Sequence, residues 1–487
     1  MTPAADGARS TYLPQDDRLT PDLLKLAALI MLGTLAVQLD VTMVNVAIHA
    51  FQESFGASVS TIQWVSAGYA LALSMMIPLT GWVLDRFGAK RMWLLSIALF
   101  LAGSVLCGAA WSVESLIAFR VVQGLGGGLL LPIGQAILMR EAGERRRGRL
   151  MAAIGVPALL GPVAGPVVGG LIVNDLGWRW IFFVNVPVCV LAFALSVWIM
   201  PDPRPAGGDR LDLLGLALIS PGLAATVYGL SRAGDAGGFG SPWVLLPLAG
   251  GVALLVAFGA HALRVRAPLI DVRLFRSRAF AASSAVVFLI GIASLGSMLL
   301  LPLYFQQVRG EDPLHAGLLV APQGVGLGVA LVVAGMLADR HSPRPIVLVG
   351  VLLTVLGTLA YATVGPDTSV LLLAGALVLS GAGLGAALIP VMAAALRGLR
   401  DEAIPRATSA VRIFQQLGGS FGAAVLAVVL QRQLVERVAA APGGQPSTAA
   451  LSGAFGHAFW WALGFAALAA LPALFLPGTP PPVDQSH

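Results

Sequence analysis

Apolar residues run along this chain in blocks of roughly twenty, separated by short polar or glycine- and proline-bearing connectors, a length that matches helices crossing a hydrocarbon layer ~30 Å thick. The blocks do not alternate apolar with polar, as LLKLAALIMLGTLAV and AFWWALGFAALAALPALF show, so a transmembrane β-barrel is excluded. The pattern predicts about fourteen spans. The first six are Leu24–Ala50, Ile62–Leu84, Met92–Ala110, Glu114–Met139, Leu150–Val173 and Trp178–Met200. Leu213–Arg232 and Ser241–Leu263 follow, and then Phe280–Phe305, Ala316–Leu337, Pro345–Val364, Val370–Arg397, Ala407–Gln433 and Leu451–Leu476.

Composition excludes a soluble protein, because only 11% of the 487 residues are charged and 57% are hydrophobic. The first twenty residues are polar and offer no cleavable signal, so the N-terminus is expected to persist. Cys107 and Cys189 lie inside apolar runs and read as small core residues, with no disulfide framework. The net charge of +6 does not imply nucleic-acid binding, since the basic residues fall in loops. With the N-terminus inside, about 23 of the 30 Lys and Arg fall on the cytoplasmic side, among them Arg145–Arg147. Both termini are therefore expected to be cytoplasmic, in an all-α polytopic protein.

A motif repeats between the second and tenth spans: Gly81-Trp-Val-Leu-Asp85-Arg86 and Gly335-Met-Leu-Ala-Asp339-Arg340. Duplication at corresponding points suggests two homologous halves. The copies lie eight spans apart, so six-helix units require two inserted helices. The chain then divides into 1–23 (cytoplasmic segment), 24–200 (first bundle), 201–264 (linker and inserted pair), 265–476 (second bundle) and 477–487 (tail).

Asp40 is the one carboxylate placed deep inside a span, where an ionised group costs several kcal/mol unless paired. Counting ~1.5 Å per residue puts Asp40 and Arg120 at nearly the same depth in the outer half of the layer, with Gln123 one turn from Arg120. A shared polar network is expected, the alternative being an arginine that satisfies only backbone carbonyls. Thr34, Gln38, Thr42 and Asn45 share one face of the first span, roughly opposite Asp40. Gly124, Gly126, Gly127 and Gly128 leave room for a ligand or for another helix. Gly81, Asp85, Arg86, Gly88, Lys90 and Arg91 occupy a tight turn whose charges suit a gating latch, with Asp339 and Arg340 as the second copy. In the fifth span Gly161, Gly165 and Gly169 form a small-residue face and Pro162 and Pro166 invite a bend; the tenth span, with Gly324, Gly326 and Gly328, is the expected packing partner.

Together these motifs resemble the major facilitator superfamily, specifically its fourteen-helix drug:proton antiporters of the EmrB/QacA multidrug efflux type. LDVTMVNVA is similar to the family's first-helix motif, GWVLDRFGAKR to its signature loop, RVVQGLGGG to its fourth-helix motif and GPVAGPVVGG to its antiporter motif. WRWIFFVNVP, PLIDVRLFRSRAF and RIFQQLGGSFGAAV match further family segments. The resemblance implies a major facilitator fold of two six-helix bundles plus two inserted helices, in a bacterial inner membrane. It implies export of lipophilic, often cationic or aromatic drugs against incoming protons by alternating access, driven by the proton motive force with no cofactor. Asp40, Arg120 and Gln123 would couple protons. Gly161, Pro162, Gly165, Pro166, Gly169 and Gly170 would form a pivot helix. Gln38, Thr42, Asn45, Gln135, Ser294, Ser297, Met298 and Met392 would line the cavity. His49 departs from the usual proline, and His341-Ser-Pro343 truncates the second latch.

Expected partners are the bilayer, a small-molecule substrate, protons and a periplasmic adaptor protein. Export of one metabolite, siderophore or aromatic acid, with Arg120 or Arg412 meeting an anion, is the alternative. An intramembrane enzyme is disfavoured: the six His are scattered, and no metal set or nucleotide loop of the G-x-x-x-x-G-K type occurs.

Overall fold

The computed structural model describes residues 20–57, 59–142, 164–165, 168–201, 211–235, 238–338, 341–399, 403–441 and 446–478. Thirteen helices among these residues are long and apolar enough to cross a membrane. With no water in the hydrocarbon layer, each backbone N–H and C=O is satisfied within its own helix, which is why apolar runs of this length become helices.

The first part of the chain comprises α1 (Pro21–Val46), α2 (Ile48–Phe55), α3 (Val59–Met76), α4 (Thr80–Phe87), α5 (Ala89–Gly108), α6 (Val113–Ala142), α7 (Trp180–Phe183) and α8 (Asn185–Ile199). Then follow α9 (Leu213–Asp235), α10 (Pro242–Arg264), α11 (Arg278–Gln307), α12 (Pro313–Ala338), α13 (Pro343–Ala362), α14 (Val370–Ala395), α15 (Ile404–Ala440), α16 (Thr448–Leu468) and α17 (Ala470–Ala473). The second span is interrupted by a 3-10 turn at Ile77–Leu79, where Pro78 lacks the N–H that would continue the ladder. The chain then reverses at Gly88, whose φ of 87° lies in the left-handed region that a side chain disfavours.

α15 is longer than its apolar run indicated: its 37 residues extend to Ala440, ~55 Å in all. The fifth span, expected at Leu150–Val173, falls mostly outside the described residues, as do Gly161, Pro162 and Pro166. Its described glycines pack elsewhere than expected. A Cβ on Gly165 would run into Thr42 of α1, and one on Gly169 would sit 3.1 Å from the Met43 Cα. Gly326 of α12 instead abuts the Val378 carbonyl of α14. Gly165, Gly169 and Gly326 therefore each serve a neighbour within their own half of the sequence.

The cores show how the spans are arranged. At the Gly81 end a single apolar cluster joins Leu84, Ile137 and Leu138 to Val391, Ile404 and Val411. At the opposite end the cluster splits in two. Met43, Phe51, Cys107, Trp178 and Phe182 form one core, and Leu300, Tyr304, Leu373, Phe455 and Phe459 the other. The first and last six spans are thus sealed together at one end and have separate cores at the other. The extra helix α9 packs on α10, α3 and α15, so the additional pair sits on the seam between them.

Candidate functional site

Asp40, Arg120 and Gln123 come together inside the first half with exposures of 0%, 1% and 0%. Arg120 Nη1 donates to Asp40 Oδ2 at 2.5 Å and to Gln123 Oε1 at 2.6 Å, while Gln123 Nε2 donates to Asp40 Oδ1 at 2.9 Å. Asn185 Nδ2 donates to the same Oδ1 at 3.1 Å, and Ser104 Oγ accepts from Gln123 Nε2 at 2.8 Å. Arg120 also donates from Nε to the Val65 carbonyl, and its guanidinium carbon lies 4.1 Å from the centroid of the Tyr69 ring. Five helices thus enclose a closed ring of charged and neutral hydrogen bonds.

Asn185 and Ser104 did not stand out in the sequence. Asn185 carried a usable signal, an amide within the strongly apolar run WIFFVNVPVCVLAFALSVWI, whereas Ser104 looked like many helix serines. Close approach comes from glycine. A Cβ on Gly103 would lie 2.5 Å from the Gln123 Cα, and one on Gly124 would lie 2.6 Å from the Tyr69 carbonyl. The glycines of α6 therefore admit α3 and α5, rather than holding open a surface for a ligand.

Asp85 forms the junction at the sealed end. Its Oδ1 accepts from Arg140 at 3.3 Å and its Oδ2 from Arg406 of α15 at 3.5 Å, so one carboxylate ties the fourth span to the thirteenth. Gly81 lies flat against Arg406, with a Cβ there 2.7 Å from the arginine Cγ. Arg86 and Arg91 are exposed, and Lys90 donates to the Val197 carbonyl at the end of α8 at 2.8 Å. The arginines that meet Asp85 are thus Arg140 and Arg406, which lie far from the motif in sequence. Asp339 and Arg340 fall outside the described residues.

The eight cavity candidates separate. Thr42 back-bonds to Gln38 and Leu39 carbonyls and faces Gly165, and the Asn45 side chain lies outside the described set. Gln38 and Met298 are half-buried, and Met392 is part of the shared core. Gln135 accepts from Arg412 Nε of α15 at 2.9 Å, a second tie across the seam. Ser294 and Ser297 line a small cavity of about 20 Å³ inside the second half, with Gln323, Thr354, Thr358 and Ser380. A larger cavity of about 690 Å³ lies on the seam, walled by Ala70, Val227, Ser231, Leu299, Leu303 and a stripe of α15 that includes Gln416 and Ser420.

The small cavity is the duplicated counterpart of the Asp40 network. Asp40 and Ser297 each lie nineteen residues past the first residue of their helices, Gln123 and Ser380 ten, and Ser104 and Thr358 fifteen. Gln323 precedes Gly335 by the same twelve residues that separate Tyr69 from Gly81. Arg120 corresponds to Leu377, so the second copy keeps hydroxyls and an amide but neither charge.

The sequence profile of the Major Facilitator Superfamily matches residues 30–423. The chain belongs to this superfamily. It is 42% identical over 436 residues to the multidrug resistance protein B homolog of Mycobacterium tuberculosis (strain ATCC 25618 / H37Rv), covering 89% of this chain and 81% of that one. It is 31% identical over 414 residues to the tetracenomycin C resistance and export protein of Streptomyces glaucescens, covering 84% and 76%. The fold matches the proton:xylose symporter XylE with a TM-score of 0.62 at 16% identity, over 92% of this chain and 94% of that one. This is a multi-pass membrane protein with a transporter fold.

Proposed function

We propose that the chain exports lipophilic compounds, drugs among them, across the bacterial inner membrane in exchange for protons, with both termini in the cytoplasm and the Asp85 junction closing the cytoplasmic end. The export relatives and the distribution of basic residues support this reading. The observation that carries the proton step is the donor set around Asp40: Arg120 points at one carboxylate oxygen and Gln123 and Asn185 at the other. Oδ1 already accepts two hydrogen bonds, and a proton on either oxygen removes the charge that holds Arg120, so protonation weakens the ring as it stands. Neutralising Asp40 releases Arg120 and loosens α1 from α6; deprotonation draws them together again. Protonation is thereby linked to helix packing, and helix packing to the Asp85 junction at the far end of α6, where Arg140 lies.

The test is dye transport into inverted membrane vesicles under an imposed pH gradient, for the unaltered protein and Asp40→Asn inserted to equal levels. Loss of gradient-driven accumulation in the variant is expected; full accumulation removes Asp40 from the coupling step.

A further inference from the structure

Arg412, like Arg120, lies within an expected span, and its surroundings differ from those of Arg120. It lies eight residues past Ile404, ~12 Å into α15. Nε donates to Gln135 at 2.9 Å and Nη1 to Gln415 at 2.5 Å, so its hydrogen-bonding partners among the described residues are neutral amides. No described carboxylate forms a salt bridge with it, whereas Asp40 neutralises Arg120. Toward the sealed end stand Arg406 and Arg140 with Asp85 between them. Of these four side chains three are arginines and one is an aspartate, so Asp85 does not balance them.

Arg412 also stands at the foot of a stripe. Gln416, Ser420, Ala423, Ala427, Leu430 and Leu434 follow it at intervals of three or four residues and wall the cavity of about 690 Å³ on the seam. That volume is within the range that holds drug-sized molecules. The stripe is cationic at its foot, polar at Gln416 and Ser420, and apolar beyond.

We propose that Arg412, with Gln415 beside it, is the subsite for an acidic group, and that the exported compounds include amphiphiles with an aromatic or aliphatic body and a carboxylate or similar anion. The proposal rests on the efflux reading and specifies its substrate class. When the halves part at the sealed end, Gln135 leaves with α6 while Arg412 and Gln415 remain on α15. The guanidinium fork then lacks its cross-seam acceptor, and an anionic head group replaces it with a charge-assisted, bidentate contact. The apolar body lies along the stripe.

Three probes that share one aromatic body separate charge from lipophilicity: 1-pyrenebutyrate, its methyl ester and a pyrenebutyl trimethylammonium. Binding to the purified full chain in nanodiscs is read by energy transfer from tryptophan to pyrene. The acid is expected to bind at least tenfold more tightly than the ester or the cation. Arg412→Gln should remove that preference without weakening the ester, and Arg412→Lys should keep part of it. Equal binding of acid and ester by the unaltered protein overturns the proposal, as does a preference that survives Arg412→Gln. If Arg412→Gln does not fold, the comparison of head groups on the unaltered protein decides. Absence of pH-driven flux of all three probes would refute the efflux reading while leaving the binding result intact.

Discussion

Replacing Asp40 by asparagine changes the charge at constant shape, and the donor geometry determines its cost. Oδ2 faces Arg120 at 2.5 Å, and Oδ1 faces Gln123 at 2.9 Å and Asn185 at 3.1 Å. Whichever way the new amide turns, its NH2 meets a donor, so at least one hydrogen bond becomes a repulsion. Arg120, 1% exposed, then lies buried with no counter-charge. Breaking one side of such a pair costs about 3–5 kcal/mol. Arg120→Gln leaves the carboxylate with two amide donors and should cost about the same. The double variant Asp40→Asn/Arg120→Gln rejoins two amides and should lose at least ~2 kcal/mol less than the sum of the single losses. Denaturation of the purified single and double variants in detergent measures this coupling. Additivity within ~0.5 kcal/mol would refute the claim that the two side chains form one electrostatic unit.

Three further outcomes follow from contacts elsewhere. Gly103→Ala pushes a methyl group into the Gln123 backbone 2.5 Å away and should destabilise the protein by about 1–3 kcal/mol and impair pH-driven transport, both measurable on one preparation. Asp85→Asn removes both ion pairs of the junction; because Arg140 and Arg406 are partly exposed, stability should fall by no more than about 1 kcal/mol. A cysteine introduced at Gln135 should nevertheless be alkylated faster in that background, and an unchanged rate would show that the junction does not hold the seam closed. Trp93→Phe deletes the buried bond from the indole N–H to Ser196 Oγ at 2.9 Å and should cost about 1–3 kcal/mol in thermal unfolding, because Ser196 remains buried.

The architecture was legible because the bilayer imposes a length scale that any span must meet, and apolar runs of that length are visible one residue at a time. The same scarcity of charge singled out Asp40 and Arg120, since each is costly enough in lipid to require a partner. The Gly81 and Gly335 motifs likewise disclosed the duplication. The sequence did not disclose which groups complete each constellation. Asn185 is 145 residues from Asp40 and Arg406 is 321 from Asp85, and neither pairing leaves a trace in local spacing. The cavity candidates dispersed for a related reason: helical periodicity groups residues by face but does not say what the face meets. Thr42 met a glycine of the fifth span, and Ser297 met its own bundle.

By itself, then, the sequence determined the solvent, the approximate limits of most of the helices and the two buried charges, because each follows from the cost of placing a given residue in hydrocarbon. Only the tertiary structure decided that Asp40 is held by three donors at once, that its counterpart in the second half carries no charge, and that Arg412 crosses the seam to an amide. Those outcomes depend on how helices distant in sequence rotate and pack against one another, and that is settled by the fit of glycine to backbone and side chain to cavity.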